Sequence, residues 1–460
     1  MIQSVCDMRL LLVQTYLGRK EKPVFPLGLA YLAARCREHE VHVLDQNVEK
    51  DPWEALRARI ASIKPEVIGF SLRNIDTTQF RDPYVYHPAF SRAVCLAKEN
   101  APEAAIILGG PGFSMFPEQL MKLFPQVDFG IYLDAEEILP SLLKDLKRTP
   151  PVRGVYYRTN GADSFSFSGA AGLPDFSLLP NPRRDLFDMD SYLGQADTIG
   201  IQSKRGCGVR CAYCSYPYLN GGKARSRSPQ AVVAELQELV EKYGVRTVMF
   251  VDPVFNMPAE HAEEICREIL RTGLRVTWSA WFNERYLSEE LVRLAVKAGC
   301  CDFSFSPDGL CETSLRMLRK DITVADIRRV WRITRTVPEM NVSYNFFLNP
   351  PGQTITGFLR TLGFVIRAKL VLRKRLRGVL LGAVRVEPYT EIHRLAVKEG
   401  MLKADDDLWA QTSEELGHLF YGNAKTRYLD VLLRLYVYAW RLKACVTGAI
   451  KRVFKRRNDR

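Results

Sequence analysis

No run of eighteen or more uncharged apolar residues occurs in this chain of 460 residues. A membrane-spanning helix of ordinary length is therefore not expected. The N-terminal stretch MIQSVCDMRLLLVQ carries an acid and lacks a small-residue cleavage pattern, so it does not read as a secretory signal. The eleven cysteines lack the regular spacing of a disulfide framework and point to a reducing cytoplasm. The spaced GxGxxG of nicotinamide binding is absent. No further Cys or His lies between Cys214 and His261, so the fourth ligand of a structural zinc site is missing. Acid is scarce at the C-terminus, where residues 425–460 hold eleven basic residues and two acidic ones.

The segment Cys207-Gly-Val-Arg-Cys211-Ala-Tyr-Cys214 carries the strongest chemical signal. Its CxxxCxxC spacing puts three soft thiolates on one short loop, suited to three corners of a 4Fe–4S cluster. Three ligands leave the fourth iron open to a small molecule. A polar–apolar strand, Asp197 to Ser203, leads into the loop, and Ser228-Pro229 opens a helix after it. Cys300, Cys301 and Cys311 read as core residues, because adjacent strand positions point in opposite directions and cannot easily share a metal.

Hydrophobic content of 47% with 25% charge describes a globular chain, and its length predicts two or three domains. Strands are expected at Arg9–Val13, Glu40–Leu44, Val67–Ser71, Ala105–Leu108 and Val127–Ile131, with helices between them. This α/β alternation predicts a doubly wound parallel sheet over residues 1–150, with ligands at the strand carboxyl ends. The loops after Ser71 and Leu108 are then the informative ones. In the second, the glycine run at Gly109, Gly110 and Gly112 lets backbone approach a ligand or simply makes a tight turn. Residues 151–195 read as an edge hairpin and a proline-rich linker. From 196 to 390 the alternation resumes, with strands at Val245–Val251, Leu274–Trp278, Cys301–Phe305, Asn341–Phe347 and Val379–Val384.

Spacing, the aromatic Tyr213 before the last cysteine, and the strand–loop–helix setting together resemble the CxxxCxΦC signature (Φ aromatic) of the radical S-adenosylmethionine superfamily. With PLGLAYLAA, VIGFS and LGGPGFS ahead of that loop, residues 9 to 400 resemble the cobalamin-binding branch of the superfamily. The FVDPVF and FSPDG stretches look most like its subgroup that includes the tryptophan 2-C-methylase of thiopeptide biosynthesis. The resemblance implies a Rossmann-like domain followed by a partial (β/α)6 barrel. It implies Cys207, Cys211 and Cys214 on the cluster, and Tyr213 and Asp252 beside S-adenosylmethionine. It further implies that Ser71, Leu72, Arg73, Gly109, Gly110 and Gly112 contact cobalamin and its nucleotide tail. Two departures matter. Leu133-Asp-Ala-Glu-Glu137 lacks the glycines of the family's GEGE-like loop, and no DxHxxG motif offers cobalt a histidine. Arg73 is expected at the lower corrin face, or else in a salt bridge near Asp76. In Leu348-Asn-Pro-Pro-Gly-Gln-Thr354, Asn349 and Gln353 replace a family glycine and glutamate.

Methyl transfer to an unactivated carbon is the expected reaction, with an external one-electron reductant. The alternatives are a cobalamin-dependent rearrangement or ring contraction, or a non-catalytic corrinoid and iron–sulfur sensor. Residues 391–460 are expected to form a basic helical region. Its segment 425–460, together with the basic run Arg367–Arg377, suggests peripheral contact with an anionic membrane and a small-molecule or lipid-like substrate. A helix packed across the barrel edge is the competing reading. Nucleic acid is disfavoured, since no RNA-reading module accompanies the charge.

Overall fold

The computed structural model describes residues 8–159, 164–194, 197–432, 434–435 and 438. Seven strands form the first sheet: β1 (Arg9–Gln14), β2 (Glu40–Asp45), β3 (Val67–Ser71), β4 (Ala105–Gly109), β5 (Phe129–Ile131), β6 (Val155–Arg158) and β7 (Phe165–Phe167). Their order is β2-β1-β3-β4-β5-β6-β7. The first five are parallel, and β6 and β7 add an antiparallel edge. Apolar residues fill both faces of β1 because helices cover both sides. Leu10 and Leu12 join one core, Leu11 and Val13 the other. The order reverses between β1 and β3, which is where such a sheet opens a crevice.

A short β8 (Gly200–Ile201) and the two-stranded ribbon of β9 (Lys204–Arg205) and β10 (Arg225–Ser226) flank the cysteine loop. The second sheet then runs through β11 (Thr247–Phe250), β12 (Thr277–Phe282), β13 (Cys300–Asp308), β14 (Val342–Phe347) and β15 (Leu376–Gly382). It has six parallel strands in the sequential order of a partial barrel. The helix Pro229–Tyr243 begins where expected, with the Ser228 hydroxyl accepting from the Ala231 amide.

Two strands differ from expectation for identifiable reasons. The strand foreseen at Asp197–Ser203 shrinks to Gly200–Ile201, because the Ser203 and Lys204 amides donate instead to the Asp252 carboxylate. The strand foreseen at Leu274–Trp278 starts later, at Thr277. There the preceding helix closes through left-handed Gly273 and a Leu274 amide bonded to Ile269.

Beyond β15 the chain returns to the first domain. Val384, Val386, Ile392, Trp409 and Phe420 share a core with the helices flanking β3 and β4. His87 is buried there, its ring tilted 35° against Trp409 and bonded to the Ala410 carbonyl. Asp76 is buried with Arg385 at 3.1 Å, so the salt bridge considered between Asp76 and Arg73 is replaced by one that closes the two ends of the fold. Most of the basic segment foreseen as a C-terminal helix lies outside the described residues.

Candidate active site

The cysteine loop is short and tightly held. Gly206 precedes it at φ +85°, and a Cβ there would meet the Lys223 carbonyl oxygen at 2.0 Å, so only glycine fits. The Cys207 amide donates to Gly221, the Ala212 amide to Leu318, and the Ile392 amide to Ala212. Cys207, Cys211 and Cys214 are all free thiols. Burial raises all three thiol pKa values, that of Cys214 to about 12. A bound metal cluster supplies the positive charge that would hold them as thiolates. Among the described residues no three Cys, His, Asp or Glu side chains gather around one ion.

Behind the loop sits a buried polar triad. The Tyr213 hydroxyl donates to Asp308 at 2.6 Å, and the Lys320 ammonium lies 3.0 Å from the same carboxylate oxygen and 3.3 Å from the Tyr213 hydroxyl. Burial works against the Lys320 charge, but Asp308, Tyr213 and Cys211 outweigh it and keep the ammonium. Asp308 adopts a positive φ of 62° at the end of β13, a strained geometry for a non-glycine residue. Nearby Glu284 is fully enclosed, with one carboxylate oxygen unpartnered, and burial lifts its pKa to about 7.

Of these residues, Tyr213 and Asp308 face a cavity of about 250 Å³. Phe346, Phe347, Leu380 and Leu381 give it apolar walls at the carboxyl ends of β14 and β15, and Tyr213, Asp308, Ser306 and Asn345 give it polar points. Its far wall, Thr78 to Phe80, comes from the loop that follows β3. Thus the cavity joins the cysteine loop to the first domain.

A second cavity of about 270 Å³ lies at the sheet's crevice. Leu12, Leu27, Leu29, Ile107 and Ile131 make it apolar, and Ser71, Gly109 and Gly110 line its mouth. A methyl group on Gly28, in the same wall, would meet no atom within 4 Å. Gly110 adopts φ +95° and sits so close to the Leu72 carbonyl that a Cβ would come within 2.7 Å. Asp134, Glu136 and Arg205 line the same slot, so it is apolar on one side and charged on the other.

The structure gathers some expected residues and separates others. Ser71, Gly109 and Gly110 line the second cavity, whereas Leu72 and Gly112 pack beneath it, joined by the bond from the Gly112 amide to the Leu72 carbonyl. Arg73 is half-buried beyond β3 and acts on the charges of Asp45 and Tyr86. Asp252, expected beside the amine of S-adenosylmethionine, turns inward. It is fully enclosed and accepts from the Ser203 and Lys204 amides, with the Lys204 ammonium 3.8 Å away.

Three features were not singled out from sequence. Lys320 and Glu284 are lone charges whose burial is tertiary. The third is a clamp between domains: Arg205, just before Cys207, pairs with Glu136 at 2.6 Å and Asp134 at 3.5 Å, and Arg225 meets Asp134 at 3.0 Å. The glycine-free DAEE loop therefore grips the barrel. The only sequence signal was the loss of those glycines.

Residues 201–365 match the Radical SAM superfamily, and residues 14–143 match the B12 binding domain. An uncharacterised methyltransferase of Pyrococcus horikoshii is 24% identical over 76% of this chain and 73% of its own. The tryptophan 2-C-methyltransferase of Streptomyces laurentii is 24% identical over 62% of this chain and 57% of its own. Among solved structures, the radical S-adenosylmethionine methyltransferase TsrM of Kitasatospora setae, with cobalamin and a [4Fe-4S] cluster bound, shares the fold with a TM-score of 0.72. It is 21% identical, and the match covers 91% of this chain and 82% of that one. This is a radical S-adenosylmethionine enzyme with a B12-binding domain ahead of its barrel. The chain thus combines a radical SAM domain with a B12-binding domain and is homologous to cobalamin-dependent radical S-adenosylmethionine methyltransferases. Its cofactors are a 4Fe–4S cluster, S-adenosylmethionine and cobalamin.

Proposed function

We propose that the protein methylates an unactivated carbon of a small, largely apolar metabolite held in the cavity beside Tyr213. The observation that carries this reading is the position of that cavity, walled by the cysteine-loop aromatic on one side and by the loop after β3 on the other. Cys207, Cys211 and Cys214 would hold the cluster. Ser71, Gly109 and Gly110 would receive the corrinoid tail, while Leu72 and Gly112 fix the shape of that wall and Arg73 lies toward the lower face. When bound, the cluster would supply an electron for cleaving S-adenosylmethionine, and cobalamin would supply the methyl group. The chain's own part is positional. Tyr213, locked to Asp308 and Lys320, fixes the inner wall of the cavity. Phe346, Phe347 and Leu381 exclude water from the reacting carbon. Asp252 acts through the turn before the cluster, setting Ser203 and Lys204 in place.

The domains in this reading are the cobalamin-binding unit 1–150, the linker 151–195, the barrel 196–390 and the C-terminal region 391–460. An external reductant serves it in the cytoplasm. The basic segment 425–460 would touch an anionic membrane, making a lipid-like substrate reasonable. Among the described residues no helix is long and apolar enough to cross a membrane.

The test is anaerobic reconstitution with iron, sulfide and cobalamin, then turnover with methyl-deuterated S-adenosylmethionine and a cell extract. Expected are about four irons per chain, S-adenosylhomocysteine, and a deuterated product in the extract. A triple Cys207→Ala/Cys211→Ala/Cys214→Ala variant that keeps its cluster would overturn the ligand assignment. Turnover of S-adenosylmethionine without transfer of label would favour a rearrangement, and no turnover at all a sensor.

A further inference from the structure

The helix Ile355–Leu372 is apolar on two faces. One face, with Phe358, Val365, Ala368 and Leu372, is buried against the barrel. The other is open: Ile355, Leu359, Ile366 and Leu370 are 56%, 59%, 58% and 71% exposed. At 3.6 residues per turn these four fall within an arc of about 60°. They form one ridge along the helix. Arg360, Arg367 and Lys369 flank the ridge, and Arg373, Lys374 and Arg377 crowd its C-terminal end, all exposed. From Met340 to Val386 the sequence contains no acid.

A second exposed apolar group lies alongside. Leu429 is buried with Leu348 and Phe358, and Asn349 donates to Asp430 at 2.7 Å. These contacts hold the helix that begins at Tyr428 near the start of the ridge, with Val431, Leu432 and Leu435 turned outward. The same small core includes Phe80, Leu381 and Ala383, which also line the cavity beside Tyr213. One layer of side chains therefore joins the buried face of the helix, at Phe358, to that cavity.

We propose that this face lies on an anionic lipid membrane, with the aliphatic ridge in the acyl boundary and the cations at phosphate level. Charge selects this occupant. A second copy across the ridge would set arginine and lysine against their equivalents with no acid to pair them. The chain's own segment 439–460 is basic as well and would be repelled by the rim. Anionic phospholipid offers both an apolar layer and negative charge. The inference deepens the contact proposed for 425–460, because it adds the aliphatic ridge of the helix Ile355–Leu372 as the inserted element, and that ridge can fail alone.

The experiment is flotation of the full-length protein with phosphatidylglycerol-containing vesicles and with pure phosphatidylcholine vesicles. Binding is expected only to the anionic vesicles, weakening as salt is raised. The variant Leu359→Gln/Ile366→Gln/Leu370→Gln should bind about tenfold or more weakly, at an unchanged melting temperature. A charge reversal, Arg367→Glu/Lys369→Glu/Arg373→Glu, should lose the preference for anionic lipid and covers the case in which the first variant misfolds. The proposal is overturned if wild type ignores anionic vesicles or if the glutamine variant binds them as well as wild type does. It is equally overturned if the ridge mediates a dimer that the glutamine variant dissolves. Loss of binding on removal of 439–460, with the glutamine variant unaffected, would sink this inference and leave the contact at 425–460 standing.

Discussion

Burial takes Glu284 well away from ordinary carboxylate chemistry. Enclosed at the start of a short turn after β12, it has an unpartnered oxygen, and burial raises its pKa from 4.5 to about 7. The folded state therefore holds this proton at pH values where the unfolded chain has released it. Stability must fall as pH rises between those two values and level off above the folded one. Glu284→Gln keeps the shape and removes the titration. Its unfolding free energy should exceed that of wild type by about 3 kcal/mol at pH 8 and match it at pH 4. Denaturant titrations at both pH values decide this; equal slopes with pH in the two proteins would refute it.

Among the elements, the loop from Lys204 to Ser215 depends most on backbone geometry. Gly206 must adopt a left-handed φ, and its missing Cβ makes room for the Lys223 carbonyl in the β9–β10 ribbon. Gly206→Ala introduces both strain and a backbone clash, costing about 1–3 kcal/mol. The cost falls on the segment that ends in Cys207. We expect reconstituted iron per chain to fall well below the wild-type value while corrinoid uptake by the first domain is retained. Parallel loss of both would mean that the effect is global unfolding.

At the scale of the whole molecule, buried ionic contacts tie the domains together, among them Arg205 with Glu136 and Asp134, and Arg385 with Asp76. A buried pair gives little net stability by itself, but removing one member strands the other. Arg205→Ala would leave two carboxylates buried with only Arg225 beside Asp134. A loss of about 3–5 kcal/mol is expected. Burial already raises the Asp134 pKa and Arg205 opposes it, so losing Arg205 would raise it further, and the variant should recover stability as pH is lowered toward 5, as thermal melts across pH would show. A variant as stable as wild type at pH 8 would mean that the clamp is dispensable.

The sequence by itself determined whatever depends on local spacing. Short continuous apolar runs broken by helical stretches marked both sheets and most of their strands, because strands covered by helices on both sides bury both faces. Three cysteines with an intervening aromatic marked the cluster loop, because ligands on one short loop need no tertiary help to come together. The Asp252 orientation, the Tyr213–Asp308–Lys320 triad, the Glu284 enclosure and the grip of Asp134 and Glu136 on Arg205 were decided only by the tertiary structure. Each joins residues dozens of positions apart, and a charged side chain looks the same in sequence whether water or a buried partner surrounds it. The same limit hid the ridge of Ile355, Leu359, Ile366 and Leu370. The helix is apolar on two faces, and only packing shows which of them the barrel leaves open.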